Sequence, residues 1–280
     1  MGKTVRLYDP TDCPMLRSCL LENGCNIETM RSAKKAIVTV EWLSEIPGCK
    51  DYELAGFANE GYRLEVTKDD IRIQVLSPIG VFRAAATLMQ LAEDTGGHLP
   101  AVEITDWPAF KLRGYMHDVG RSFLSVEELK HEIDLLSRFK INCFHWHLTE
   151  NQAWRFEVKA FPQLTSSESM TRLPGIYYSQ EQCREVMRYA AERGMAVIPE
   201  IDMPGHSQAF QRAMGFPMQT DEGVEALMTI LEEAVSVFDG APYIHIGGDE
   251  QDFSYPNFLR IVTDKVHELG QRVVIWNPIH

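Results

Sequence analysis

From Lys111 onward the chain repeats one pattern that few folds can satisfy: a short apolar run, a polar stretch, an amphipathic segment, then another apolar run. The apolar runs are residues 112–118, 141–148, 195–199, 243–246 and 273–276. After the first, Ser125 and Glu128 have the spacing of a capping box, and Leu129, Ile133, Leu136 and Phe139 follow on one helical face. Ser179 and Gln182 open a second helix, predicted to bury Val186, Met187, Ala190 and Ala191, with Gly194 where a C-cap glycine belongs. Residues 222–238 read as a third helix, and a fourth ends near Gly270. Apolar strands alternating with amphipathic helices form parallel βα units. Polar residues gather just past the strands' C-terminal ends: Arg121, Glu150, Asp202, His206, Asp249 and Glu250. Parallel α/β folds place their sites at that edge. The bias points to an α/β fold of the (β/α)8 TIM-barrel type. No glycine-rich phosphate loop follows the first strand, which argues against an open nucleotide-binding sheet. A closed barrel takes roughly eight units. With about five of them here, the barrel reads as C-terminally incomplete.

The preceding hundred residues have a different texture. Residues 36–43 form a plausible strand, and 62–67 and 71–75 alternate apolar and polar residues around the turn Lys68-Asp69-Asp70, as an antiparallel hairpin does. Ser77-Pro78 supplies an N-cap and a first-turn proline to a helix burying Val81, Ala84, Ala85, Leu88, Leu91 and Ala92. Residues 1 to 35 show little periodicity and read as a strand with a loosely packed connection. Together these make a small α+β domain without a chemical constellation, and its expected role is structural. Asp106-Trp107-Pro108 marks the boundary, giving domains 1–108 and 109–280.

Charge narrows the partners. Lys and Arg number 27 against 40 Asp and Glu, a net charge of −13, which disfavours nucleic acid and anionic membranes. A neutral or cationic substrate fits better. No apolar run has the length of a membrane span. The first residues lack the apolar core of a signal peptide, and the six cysteines show no CxxC spacing. Reduced thiols and a cytoplasmic setting are the expectation, although a signal peptide already removed would leave the same sequence.

Chemistry concentrates in Tyr243-Ile244-His245-Ile246-Gly247-Gly248-Asp249-Glu250, a short strand that breaks at two glycines and delivers adjacent carboxylates. Two carboxyls held close in a cleft do not ionise independently, and one can stay protonated beside a charged neighbour. The plainer reading is a strand end facing water. A metal-dependent barrel hydrolase is a second alternative, because His145-Trp146-His147 puts two imidazoles on one strand face and His206, Asp202 and His245 could complete a shell. Leu148 continues that run, however, so hydrogen-bonded polar packing is the better account, and neither a metal nor another cofactor is expected.

Four segments stand in order: Leu112-Arg113-Gly114-Tyr115-Met116-His117-Asp118-Val119-Gly120-Arg121, Phe144-His145-Trp146-His147-Leu148, Pro199-Glu200-Ile201-Asp202-Met203-Pro204-Gly205-His206 and His245-Ile246-Gly247-Gly248-Asp249-Glu250. In order and spacing they resemble family 20 glycoside hydrolases, the β-N-acetylhexosaminidases. The likeness runs from about residue 36 to 280, and the α+β segment is similar to the small domain accompanying that barrel. The resemblance implies exo-acting removal of terminal non-reducing N-acetylglucosamine or N-acetylgalactosamine from a glycan or glycoconjugate. The implied mechanism is substrate-assisted and retaining, an exception to two-carboxylate hydrolysis. It implies Glu250 as general acid and base, Asp249 orienting the acetamido group, and Arg121 binding sugar hydroxyls. Asp202 and His206 match supporting positions, with His206 expected to touch Glu250. Trp276 matches a tryptophan lining the acetamido pocket, where periodicity alone would suggest a core residue. Thr149-Glu150-Asn151 departs from the paired aspartates usual after His-Trp-His-Leu, leaving Glu150 as the carboxylate for His206. The segment from His206 to Glu222 is shorter than usual, and the family's later pocket aromatics fall past His280. A non-catalytic glycan-binding relative remains an alternative that retention of Asp249 and Glu250 disfavours, and a homo-oligomer is left open.

Overall fold

A computed structural model describes residues 4–50 and 54–276. The chain separates into two compact units. The first comprises Met1–Arg113 with Asp134–Asn142 and Glu192–Met195, and the second Gly114–Ile133, Cys143–Ala191 and Ala196–His280. The division therefore falls after Arg113, and the first unit takes two segments from later in the chain.

In the first unit the elements run β1 (Thr4–Tyr8), α1 (Pro14–Glu22), β2 (Asn26–Thr29), β3 (Val38–Trp42), β4 (Tyr62–Val66), β5 (Ile71–Val75), α2 (Pro78–Asp94) and β6 (Val102–Asp106). The sheet has the order β2-β1-β3-β5-β4-β6. The predicted hairpin is β4 against β5, antiparallel, with Leu64 opposite Ile73. Ser77 caps α2 by accepting the Ile79 N–H at 3.2 Å.

Residues 4–35 are more ordered than their composition suggests. They hold two strands and the helix α1, whose Met15, Leu16, Cys19 and Leu20 join Leu7, Val38, Leu64, Ile73 and Leu88 in one core. Cys13, at the N-cap, contributes no side-chain cap. Asp9 orders the turn just before the helix: its carboxylate accepts the backbone N–H groups of Thr11 and Cys13 at 2.9 and 2.8 Å.

A buried ion cluster also belongs to this unit. Glu60 accepts from Arg83 Nε and Arg113 Nη2, each at 2.5 Å, and from Asn142 Nδ2 at 2.7 Å. Burial by itself raises the Glu60 pKa, but the two guanidinium groups outweigh it and hold the carboxyl below its ordinary value.

The second unit runs β7 (Gly114–Asp118), α3 (Val126–Arg138), β8 (Cys143–His147), α4 (Gln180–Ala191), β9 (Ala196–Glu200), α5 (Gln208–Met214), α6 (Asp221–Val237), β10 (Ile244–His245), α7 (Phe258–Glu268) and β11 (Val273–Val274). Its five strands are parallel and lie in chain order, β7 to β11. Sequential order without a reversal is barrel topology, here a partial α/β barrel. Both capping boxes form: Ser125 N donates to Glu128 Oε2 at 2.7 Å, and Ser179 N to Gln182 Oε1 at 2.9 Å. Some helix expectations need correction. On α4 Ala191 is exposed and Met187 only half-buried, with Cys183 buried instead; Leu91 on α2 is half-buried, and Phe139 lies exposed just past the end of α3. The sequence reading also passed over α5 and β6. No helix among the described residues is long and apolar enough to cross a membrane.

Removing one partner of a buried ion pair strands the other charge. Glu60→Gln should lower the free energy of unfolding by about 3–5 kcal/mol. Glu103→Gln, which breaks the exposed pair with Arg63, should cost less than about 1 kcal/mol. Urea unfolding of both variants checks the contrast.

Candidate active site

Strand register builds the site. Asp118 lies opposite His147, His147 opposite Glu200, and Glu200 opposite His245, which aligns one polar residue from each of four strands. Beneath the exposed edge, Glu200 is fully buried. Its Oε2 accepts from His145 Nε2 and His147 Nδ1, both at 2.7 Å, and its Oε1 accepts the Trp276 indole N–H at 2.8 Å. His245 Nδ1 stands 3.2 Å from Glu200 Oε1 and 3.0 Å from the Gly247 N–H. When protonated it donates to the carboxylate; when bare it accepts from the glycine. Burial alone would raise the Glu200 pKa, but hydrogen bonds from the three histidines outweigh it and hold the carboxyl far below its ordinary value.

Two groups here have the makings of a cation site: His145, Glu200 and His245, and His147, Glu200 and Asp202, with donor atoms within 4.8 Å of one another in each group. Hydrogen bonding to Glu200 accounts for how the imidazoles are arranged, and among the described residues the Asp202 carboxyl takes no part in it. The imidazoles converge on Glu200, and one of its oxygens also takes an indole N–H, which cannot ligate.

Gly247 and Gly248 have φ of +70° and +97°, so the chain leaves β10 through backbone that favours glycine. At Gly247 a second constraint applies: a Cβ would come within 1.7 Å of Asp202 Oδ1. The space a side chain would fill is occupied by the Asp202 carboxyl, seated against the backbone of the turn. Neither Asp202 oxygen nor Asp249 Oδ1 has a hydrogen-bond partner among the described residues, and all three atoms are buried. Burial first, and then the charge of Glu200, pushes the Asp202 pKa up to about 7.

The outer part of the site is a chain of charges. Arg121, just past β7, donates Nη1 to Asp118 Oδ2 at 2.8 Å and Nη2 to Glu150. Glu150 is buried and also meets His206 Nδ1, so its extra methylene reaches both partners. Burial tends to raise the Glu150 pKa, but the His206 hydrogen bond and charge prevail and lower it. The Glu150 hydrogen bond in turn raises His206 to about 9, against the effect of its burial. The imidazolium thus presents Nε2 to Glu250 Oε2, 3.1 Å away. The Glu250 side chain is 69% exposed on left-handed backbone (φ +59°), while Asp249 beside it is partly sheltered. Trp276, half-buried, is fixed at both ends: its backbone N–H donates to Gly247 O at 2.9 Å and its indole to Glu200. Every residue singled out from sequence lies in this unit. Glu200 and its three histidines were not assigned to the site. The available signal was a glutamate closing an otherwise apolar strand beside His-x-His.

The chain belongs to glycosyl hydrolase family 20. The model of the family's catalytic domain matches residues 110–222, and that of its domain 2 matches residues 9–107. Among curated relatives, the beta-hexosaminidase of Porphyromonas gingivalis is 41% identical over 227 residues, covering 68% of this chain and 29% of its own length. That of Vibrio furnissii is 37% identical, covering 77% of this chain and 45% of its own. The crystal structure of beta-N-acetylhexosaminidase from Bacteroides fragilis superposes with a TM-score of 0.83 at 30% identity, over 99% of this chain and 62% of that one. The chain thus spans less than two thirds of each of these relatives.

Asp202 gives a pH signature. Its folded pKa, about 7, lies above the ordinary 3.8, so the folded state keeps a proton that the unfolded chain releases. Stability contributed by that proton is full below pH 3.8 and is lost as pH rises through 7. Asp202→Asn should therefore gain in melting temperature relative to the parent as pH goes from 4 to 7. Thermal melts across that range check it.

Proposed function

We propose that the protein is an exo-acting β-N-acetylhexosaminidase that removes terminal non-reducing N-acetylglucosamine or N-acetylgalactosamine by substrate-assisted, retaining hydrolysis. The observation that carries this reading is the unequal placing of two adjacent carboxyls. Glu250 reaches into the open with a histidine behind it, and Asp249 is sheltered beside Asp202. A proton donor to a leaving group must be accessible, whereas a group that orients a buried amide must not be.

In the first step the acetamido carbonyl oxygen of the substrate attacks the anomeric carbon. The bond to the leaving oxygen breaks as Glu250 gives that oxygen its proton. Asp249 accepts the acetamido N–H and balances the positive charge of the cyclic oxazolinium ion. The imidazolium of His206 supplies an N–H to the carboxylate that Glu250 has become. In the second step Glu250 takes a proton from water, whose oxygen attacks the same carbon and reopens the ring. Two inversions give net retention. In this reading Arg121, its fork held by Asp118 and Glu150, binds hydroxyls of the terminal sugar, and Trp276 flanks the acetamido methyl.

Glu250→Gln should lower turnover of natural disaccharides by ~10²–10⁴, and by much less in the first step for aryl glycosides whose leaving groups need no proton. Steady-state kinetics on both substrate types checks it. Equal activity of variant and parent on disaccharides would remove Glu250 from this role, and no turnover by the parent would favour a non-catalytic glycan-binding protein.

A further inference from the structure

We infer that Glu200 is a positioning residue for the acetamido side of the site, acting through Trp276. The inference rests on the proposed function and assigns a role to a residue that touches neither sugar nor water. A fully buried carboxylate is retained at a cost unless donors surround it. Glu200 receives N–H groups from His145, His147 and Trp276, and His245 Nδ1 lies within reach. Those four partners come from β8, from β10 and from the segment after β11, so one carboxylate ties the ends of neighbouring strands together.

The aromatic rings show what this controls. The Trp276 ring centroid lies 4.7 Å from that of His245 and 5.3 Å from that of His145. Both imidazoles have nitrogens directed at Glu200, and so does the indole itself. The His145 imidazole and the Trp276 indole thus take their planes from hydrogen bonds to one carboxylate, and the His245 ring, which also meets the Gly247 N–H, lies against the same group. The Trp276 backbone N–H is bonded to Gly247 O, and Gly247 opens the turn that ends in Asp249 and Glu250. The tryptophan and the two carboxyls therefore share a frame, and the indole hydrogen bond fixes the remaining freedom of the ring. Glutamine cannot replace Glu200 in this task. It offers one acceptor oxygen and turns an NH₂ group toward N–H donors.

Attack by the acetamido oxygen depends on a held geometry. A ring free to swing should weaken binding of a cyclic intermediate mimic, a thiazoline fused to the sugar, without changing the chemistry of Glu250. The test measures thiazoline affinity by calorimetry, with melting curves, for the parent full chain, Glu200→Gln, Trp276→Phe and the double variant. Glu200→Gln is expected to bind about tenfold more weakly, the scale of one lost charge-assisted hydrogen bond. The double variant is expected to bind no more weakly than Trp276→Phe, because the effect of Glu200 travels through the indole. Parent-like affinity in Glu200→Gln, or losses that add in full in the double variant, would overturn the inference. A parent that does not bind the thiazoline would instead overturn the hexosaminidase reading on which the inference stands. Should Glu200→Gln fail to fold, replacing the Trp276 indole by benzothiophene keeps the ring and deletes only its N–H. The same tenfold weakening then supports the inference, and unchanged affinity overturns it.

Discussion

A carboxylate with no route to water persists as an anion only where donors converge on it. In the second unit Glu200 meets that condition, and the rest of the site is arranged around it. Because β8, β9 and β10 are parallel and in register, His147, Glu200 and His245 arrive at one level, while His145 and Trp276 reach the same carboxylate from nearby positions. The field of this anion extends further. Glu200 is the main charge that adds to burial in raising Asp202, and Asp202 occupies the space that only a glycine at 247 leaves open. The inner anion is held charged by its donors, and the carboxyl above it keeps its proton more readily for that reason.

Above this layer a second network connects Arg121, Glu150, His206 and Glu250. Its parts make opposite demands on Glu150. The residue must be buried enough to act strongly on His206 and still long enough to meet Arg121. A glutamate in place of the usual aspartate satisfies both. Raised to about 9, His206 remains cationic at neutral pH and offers Glu250 a donor rather than an acceptor. That polarity favours the carboxylate form of Glu250, which accepts the N–H.

Local signals made much of this legible in the sequence. The two capping boxes, the Ser77 cap and the hairpin around Lys68-Asp69-Asp70 involve residues only a few positions apart, and each formed where the pattern placed it. Signals spread along the chain were harder to read. Helix α1 has no side-chain cap at Cys13, and the Asp9 carboxylate instead fixes the turn that leads into it by accepting the Cys13 N–H. Ala191 was expected on the buried face but is exposed where α4 ends, and Cys183 one turn into the helix is buried instead. At the site, Trp276 came from the family resemblance, since periodicity alone suggests a core residue. Arg121, Glu150, Asp202, His206, Asp249 and Glu250 could be picked out as polar residues at strand ends. Glu200 could not, since its partners come from distant parts of the chain and a single glutamate in an apolar strand does not announce them.

The central claim is that the nucleophile belongs to the substrate, and electron withdrawal from that nucleophile tests it most directly. Aryl N-acetylglucosaminides whose acetyl methyl carries none, one, two or three fluorines differ mainly in the basicity of the amide oxygen. Measured with the full-length protein, kcat/KM should fall steeply with each added fluorine, because attack by that oxygen forms the first transition state. A rate insensitive to fluorination would contradict the account and assign the attack on the anomeric carbon to a group on the enzyme or to water.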